Sequence, residues 1–202
     1  MFYWPVVFLS LIFFKILFRL EAKGKENIPR IGGFILASNH SSYLDPVLLA
    51  VSSCPRQLNF MARHDLFTIP IFGAFIRNAR AFPVKRDSAD IAGIKESLRR
   101  LKQTGGLLVF PEGGRSVGQM GMKVESGIGF IAAKSQVPVV PVFINGAGKA
   151  LGRNARFVKP AKIKIYFGKP TYFKNSGPDK DTYEDFANRI MQDIKRLSQM
   201  KA

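Results

Sequence analysis

Apolar and polar positions change period several times along this chain, and each change marks an element. Residues 34–38, FILAS, make an unbroken apolar run after the Gly32-Gly33 pair, the pattern of a buried strand. After Pro46, PVLLAVSS predicts a short helix ending before Pro55. QLNFMAR (57–63) and RAFPVKR (80–86) predict two further strands. Pro83 has no N–H for a ladder, which assigns the second to an edge or an irregular stretch. From Asp87 to Gln103, Ile91, Ile94, Leu98 and Leu101 recur at helical spacing, and Thr104-Gly105-Gly106 closes the helix. GGLLVF (105–110) predicts a central strand running into a Pro/Gly-rich loop, and SGIGFIAAKSQ (126–136) a helix of small residues. VPVVPVFING (137–146) and the alternating AKIKIYFG (161–168) predict two more strands. TYEDFANRIMQDIKRL (182–197) closes the chain as an amphipathic helix with Phe186, Ile190, Ile194 and Leu197 on one face.

Strands alternating with helices predict an α/β fold, one layered domain whose mostly parallel or mixed central sheet is flanked by helices. No repeat or low-complexity segment interrupts it. In open α/β sheets, sites gather beyond the carboxyl ends of the strands. The polar residues least explicable as structure follow FILAS and GGLLVF.

The first twenty residues, MFYWPVVFLSLIFFKILFRL, break this pattern. A secretory signal carries its charge before the apolar run, whereas Lys15 and Arg19 come after it. The segment predicts an N-terminal apolar membrane-associated helix over residues 1–20, roughly 30 Å long, with residues 21–202 forming the domain proper. Tyr3 and Trp4 suit one interface; Lys15, Arg19, Lys23 and Lys25 suit an anionic cytoplasmic one. Spanning and interfacial placement both remain open. Localisation at the cytoplasmic face of the cell membrane is the expectation.

Charge sharpens that picture. Apolar residues make up 47% of the 202 and charged residues only 22%, yet the net charge is +17. Such a chain folds, and it attracts something acidic: nucleic acid, an anionic membrane or a phosphorylated substrate. Nucleic-acid binding favours basic residues interleaved with exposed aromatics, and here the aromatics lie in apolar runs, so no nucleic-acid partner is expected. Cys54 is the single cysteine, which excludes an intramolecular disulfide.

Two stretches carry chemistry. In ASNHSSYLDP (37–46), Pro46 favours the first turn of a helix, making Asp45 its N-cap and leaving His40 in the turn before it. The chain can then curl so that the Asp45 carboxylate receives the imidazole Nδ1–H and frees Nε2 as a base. Spacing alone favours a plainer account, a capping aspartate and an unremarkable loop histidine. In FPEGGRS (110–116), Gly113 and Gly114 let backbone N–H groups approach an oxyanion or phosphate. Arg115 supplies a bidentate donor, and Glu112 can accept from hydroxyls. No P-loop spacing is present. A metal site from His40, Asp45 and His64 lacks any HExxH-like spacing, and no metal is expected.

Together, NHSSYLDP and FPEGGRS resemble the blocks of the 1-acylglycerol-3-phosphate acyltransferase family, which makes phosphatidic acid. The resemblance extends to RAFPVKR, ending in Arg86, and to VPVVPV (137–142), all in the family's order, and covers roughly residues 24–170. It implies an enzyme that moves a fatty acyl group from a thioester, acyl-CoA or acyl carrier protein, to lysophosphatidic acid at a phospholipid bilayer, without a further cofactor. His40 would be the general base and Asp45 its orienter; Glu112 would orient the glycerol. Arg115, Arg86 and, more weakly, Arg63 would hold the phosphate, beside Gly113 and Gly114. Three positions depart from the family pattern: Gly114 stands for Thr or Ser, Arg80 for a glycine, and Glu125 near a frequent lysine, with Lys123 shifted. These departures bear on acceptor choice, leaving another lysolipid, or a non-catalytic lipid-binding protein on the same scaffold, as alternatives. A serine esterase through Ser41 or Ser42 would need a G-x-S-x-G elbow, which is absent.

Overall fold

The computed structural model describes residues 3–85, 90–103, 105–114, 124–152, 154–174 and 180–200. Among these, seven strands form one sheet in the order β1-β7-β6-β2-β5-β3-β4. They are β1 (Glu21–Lys23), β2 (Phe34–Ser38), β3 (Leu58–Arg63), β4 (Ala81–Val84), β5 (Gly106–Val109), β6 (Val139–Asn145) and β7 (Lys164–Phe167). Every neighbouring pair is parallel except β6 and β7. Six of the strands lie where the apolar runs predict them. The seventh, β1, hides in a polar link; the backbone ladder to β7 makes this strand, not a buried side-chain pattern. Pro83 sits on β4, the edge strand, where a missing N–H is tolerated.

The helices are α1 (Tyr3–Phe18), α2 (Asp45–Ser52), α3 (Phe72–Asn78), α4 (Ile91–Lys102), α5 (Gly127–Ser135), α6 (Ala147–Leu151) and α7 (Lys180–Gln199). From β2 the chain moves outward through α2 to β3 and through α3 to β4. It then returns through α4 to β5 and through α5 to β6. Parallel crossovers are right-handed, so this reversal puts α2 and α3 on one face and α4 and α5 on the other. The core divides accordingly. Phe34 and Leu36 of β2 pack with Leu48 and Leu49 of α2, Phe14 and Phe18 of α1 and Ala147 and Ala150 of α6. Ile35 and Ala37 point the other way, toward Leu101 of α4, Ile131 of α5 and Ile190 and Ile194 of α7. The period-two alternation of one short strand therefore feeds two cores.

Two helices differ from their sequence patterns. In α4 the buried stripe is Gly93, Ser97 and Leu101, while Ile91 is exposed. Asp90 caps this helix through Gly93 N–H at 2.9 Å; the predicted start at Asp87 lies outside the described residues. The N-terminal segment requires a correction. A membrane helix was expected over residues 1–20, but no helix among the described residues is long and apolar enough to cross a membrane. Helix α1 has 16 residues, about 24 Å at 1.5 Å per residue, short of a bilayer's hydrocarbon core of about 30 Å. It ends at Arg19, whose φ is +45°, and the chain passes directly into β1. One side of α1 is committed to protein: Val7, Phe14 and Phe18 are buried against the first core.

Candidate active site

Strands β2 and β5 are neighbours, but the loops leaving their carboxyl ends part to opposite faces of the sheet. This is the place in an open α/β sheet where a crevice forms. Asn39 follows β2 there. Its Nδ2 donates to Ile144 O at 3.1 Å and its Oδ1 accepts from Ile144 N–H at 2.7 Å. The side-chain amide thus takes the ladder position beyond the Ser38–Val142 pairing, and the main chain is free to turn away. His40 is the next residue.

The His40 Nδ1 lies 2.8 Å from Asp45 Oδ2, and the same oxygen accepts from Ser41 N–H at 2.7 Å and Ser42 N–H at 2.8 Å. Asp45 is fully buried. An oxygen already accepting two backbone donors serves as an acceptor toward the imidazole as well, so Nδ1 carries the proton and Nε2 bears the lone pair. Helix α2 begins one residue earlier than the capping pattern predicts. Leu44 is the N-cap, Asp45 is the first helical residue, and no side chain caps the helix. The Asp45 carboxylate turns back onto the preceding loop instead.

From β5, the carbonyl of Phe110 accepts from Gly113 N–H at 3.0 Å and closes a four-residue turn with Pro111 at its second position. Gly113 has φ +65°, a conformation that glycine adopts without strain. The turn sends Glu112 back across the crevice, where its Oε1 accepts from His40 N–H at 3.2 Å. It also lays the Phe110 ring over the imidazole, with centroids 3.9 Å apart and planes 12° from parallel. His40 is thus fixed at its backbone, at Nδ1 and across its face.

A third segment closes on this loop. Ser42 Oγ donates to Leu151 O at 2.7 Å and accepts from Leu44 N–H at 3.1 Å, while Tyr43 N–H donates to Leu151 O at 3.3 Å. Helix α6 is therefore tied to the His40 loop. Ser42 is the side chain that joins them.

The remaining candidate residues are distributed as follows. Gly114 lies in the turn after Gly113. Arg63 ends β3 at the same carboxyl edge, exposed, with its Nε donating to Asp65 Oδ1 at 2.8 Å. The hydrogen bond from Arg63 holds the Asp65 carboxyl below its usual range. Arg86, Arg115 and Lys123 lie outside the described residues. Among the described residues, no group of three or more His, Cys, Asp or Glu side chains is placed to hold a metal ion.

Asn39 and Phe110 belong to this constellation and are absent from the sequence-derived candidates; Ser42, weighed there only as an esterase nucleophile, belongs to it as a tie between loops. Asn39 gave a faint signal, a polar residue between a buried strand and a candidate base. Phe110 read as the end of an apolar strand, and the partner of Ser42 lies 109 residues away.

A family model described as Acyltransferase matches residues 19–145, more than half of the chain. The chain belongs to the acyltransferase family. It is 31% identical over 182 residues to the 1-acyl-sn-glycerol-3-phosphate acyltransferase of Bacillus subtilis, covering 88% of this chain and 87% of that protein. The protein of the same name from Streptococcus pneumoniae is 32% identical over 168 residues, covering 82% of this chain and 61% of its own length. The crystal structure of the 1-acyl-sn-glycerophosphate (LPA) acyltransferase PlsC from Thermotoga maritima superposes with a TM-score of 0.73, over 98% of this chain and 79% of that one. At 24% identity that likeness shows the fold. This acyltransferase is an enzyme, and the alternative of a non-catalytic binding protein falls away.

Proposed function

We propose that this acyltransferase moves a fatty acyl group from a thioester to the free hydroxyl of 1-acylglycerol-3-phosphate, giving phosphatidic acid. The observation that carries the reading is the His40 Nδ1 to Asp45 Oδ2 contact of 2.8 Å, which leaves Nε2 as a base beside a glycine turn. The bacterial relatives, 1-acyl-sn-glycerol-3-phosphate acyltransferases, support this acceptor.

In this reading Nε2 takes the proton of the acceptor hydroxyl as its oxygen attacks the thioester carbonyl. The tetrahedral intermediate collapses with loss of the thiolate, and the imidazolium returns the proton to that sulfur. Asp45 keeps the ring in the required tautomer and offsets its transient positive charge. Gly114 offers a backbone N–H near the developing oxyanion, while the Gly113 N–H is spent on the Phe110 carbonyl that closes the turn. Arg63, Arg86 and Arg115 hold the acceptor's phosphate, and Glu112 combines its bond to His40 with orientation of the glycerol. For Arg63 this requires exchanging Asp65 for phosphate. No acyl-enzyme forms, in keeping with Ser42 Oγ being engaged with Leu151 O.

The donor is acyl-CoA or acyl carrier protein; both are acidic and match a net charge of +17. The enzyme works at the cytoplasmic face of the cell membrane, where the acceptor resides. Purified protein supplied with labelled acyl-CoA or acyl carrier protein should label lysophosphatidate and leave other lysolipids largely unlabelled. Equal labelling of a choline lysolipid would overturn the acceptor assignment.

A further inference from the structure

Between β3 and β4 the chain forms a small apolar tip that no core absorbs. Ile69, Ile71, Phe72 and Phe75 expose 47%, 88%, 43% and 50% of their surface within seven residues. The tip is rigidly mounted. Gly73 packs on the Phe67 carbonyl, where an added Cβ would lie 2.5 Å from the oxygen. Arg77 Nη2 donates to that carbonyl at 3.3 Å, and its guanidinium covers the buried Phe67 ring at 5.2 Å. At the apex, Ile71 has φ +65° and ψ −56°, and Phe72 N–H donates to Pro70 O at 2.6 Å. That is a γ-turn of the rare positive-φ kind, centred on a β-branched residue. A β-branched residue in this region is strained, and such strain concentrates at functional positions. Folding here holds a large apolar side chain outward when a glycine would be easier.

The position of the tip limits what can cover it. Right-handed crossover puts α3 on the same face of the sheet as α2, against which α1 packs. Phe8, Leu9, Ile12 and Ile16 of α1 are exposed in that same layer. The exposed Arg77 lies in the last turn of the tip's helix in a chain of net charge +17, which opposes pairing with a second copy and favours an anionic surface. A seven-residue helix offers a partner protein little groove, whereas a bilayer interface needs only protruding apolar side chains with basic neighbours.

We infer that Ile69–Phe75 is a lipid-docking wedge that inserts into the interface of an anionic bilayer and brings the carboxyl edge of the sheet to the acceptor. The inference rests on the proposed lipid acceptor, and the geometry of the tip supports it separately.

Trp4 is the single tryptophan, so Ile71→Trp in a Trp4→Phe background reports on the tip alone. Added phosphatidylglycerol vesicles should shift its emission to the blue, and brominated acyl chains should quench it. In parallel, the full-length double variant Ile71→Asp, Phe75→Asp should lose about tenfold or more in sedimentation with those vesicles. Its turnover of a short-chain, monomeric lysophosphatidate should stay within about twofold of the parent. Unshifted emission or unchanged sedimentation overturns the wedge. A parent dimer that the double variant converts to monomer, with vesicle binding intact, overturns it in favour of self-association. Vesicle binding through the tip without turnover of lysophosphatidate supports the wedge and refutes the proposed acceptor, so the two failures are distinct.

Discussion

The imidazole of His40 lies on the ring of Phe110, centroids 3.9 Å apart and planes within 12°. The contact joins the loop after β2 to the turn after β5 and closes one face of the ring. Phe110→Ala should lower kcat about 10- to 100-fold with little change in KM for the acceptor, because ring orientation matters most at proton transfer. Phe110→Tyr should restore most of the rate. A loss confined to KM would place Phe110 in substrate binding instead.

Replacing His40 itself should be far more damaging. His40→Ala should cost about a thousandfold or more in kcat, and Asp45→Asn should lower kcat while nearly sparing acceptor KM, since it disturbs the tautomer. Steady-state kinetics on both variants check this, and full activity in His40→Ala would sink the assigned base.

Asn39 holds the loop to β6 by two hydrogen bonds made at a buried side chain. Asn39→Ala leaves Ile144 N–H and C=O without those partners and should cost about 2–3 kcal/mol in urea unfolding. Activity should fall as well, because the departure point of the His40 loop loosens.

Arg80, which stands where the family has glycine, has φ +69°. Its Nε donates to Asn59 Oδ1 at 3.2 Å, but Arg100 Nη1 also donates to that oxygen at 3.0 Å. Arg80→Gly therefore relieves backbone strain while Asn59 keeps a partner, and should fall within about 0.5 kcal/mol of the parent. Arg80→Ala loses the bond and keeps the strain, so it should be about 1 kcal/mol less stable than the glycine variant. The reverse order in thermal or urea unfolding would refute this account.

Acid should remove one stabilising contribution from α4. Hydrogen bonds from Arg99, and then from Arg100, outweigh partial burial and hold the Glu96 carboxyl at about 2. A carboxylate with a depressed folded-state pKa stabilises fully above its unfolded value, near 4.5, and ceases to do so as pH falls through about 2. With solvent screening of the partly exposed pair, Glu96→Gln should cost about 1 kcal/mol at pH 7. The difference between variant and parent should shrink between pH 4.5 and pH 2. A difference that stayed constant with pH would mean the ion pairs contribute nothing.

Strands buried on both faces announce themselves as apolar runs, and for that reason β2, β5 and β6 were legible from residue types alone. The pairing of His40 with Asp45 was legible only beside FPEGGRS, because spacing alone favours a capping aspartate and a loop histidine. What escaped were relationships that no local pattern encodes. Strand β1 is three polar-flanked residues made regular by β7; α3 is held by Arg77 donating to the Phe67 carbonyl, and α6 by the Ser42 hydroxyl donating to its Leu151 carbonyl. The apolar N-terminus misled for the opposite reason: its hydrophobicity is real, but one side of the helix is spent on α2 and the helix stops at Arg19. Apolarity alone does not say which neighbour an apolar side chain will meet.

Strand β1 covers the outer edge of β7, and Ile163 N–H bonds the carbonyl of Phe18 at the helix exit. An uncovered β7 would present a row of free N–H and C=O groups, a template on which a second molecule can polymerise. Any shortened form beginning after Lys23 inherits that open flank and should precipitate, whereas one beginning just before Glu21 keeps it sealed. The first two dozen residues thus protect solubility as well as contributing a helix.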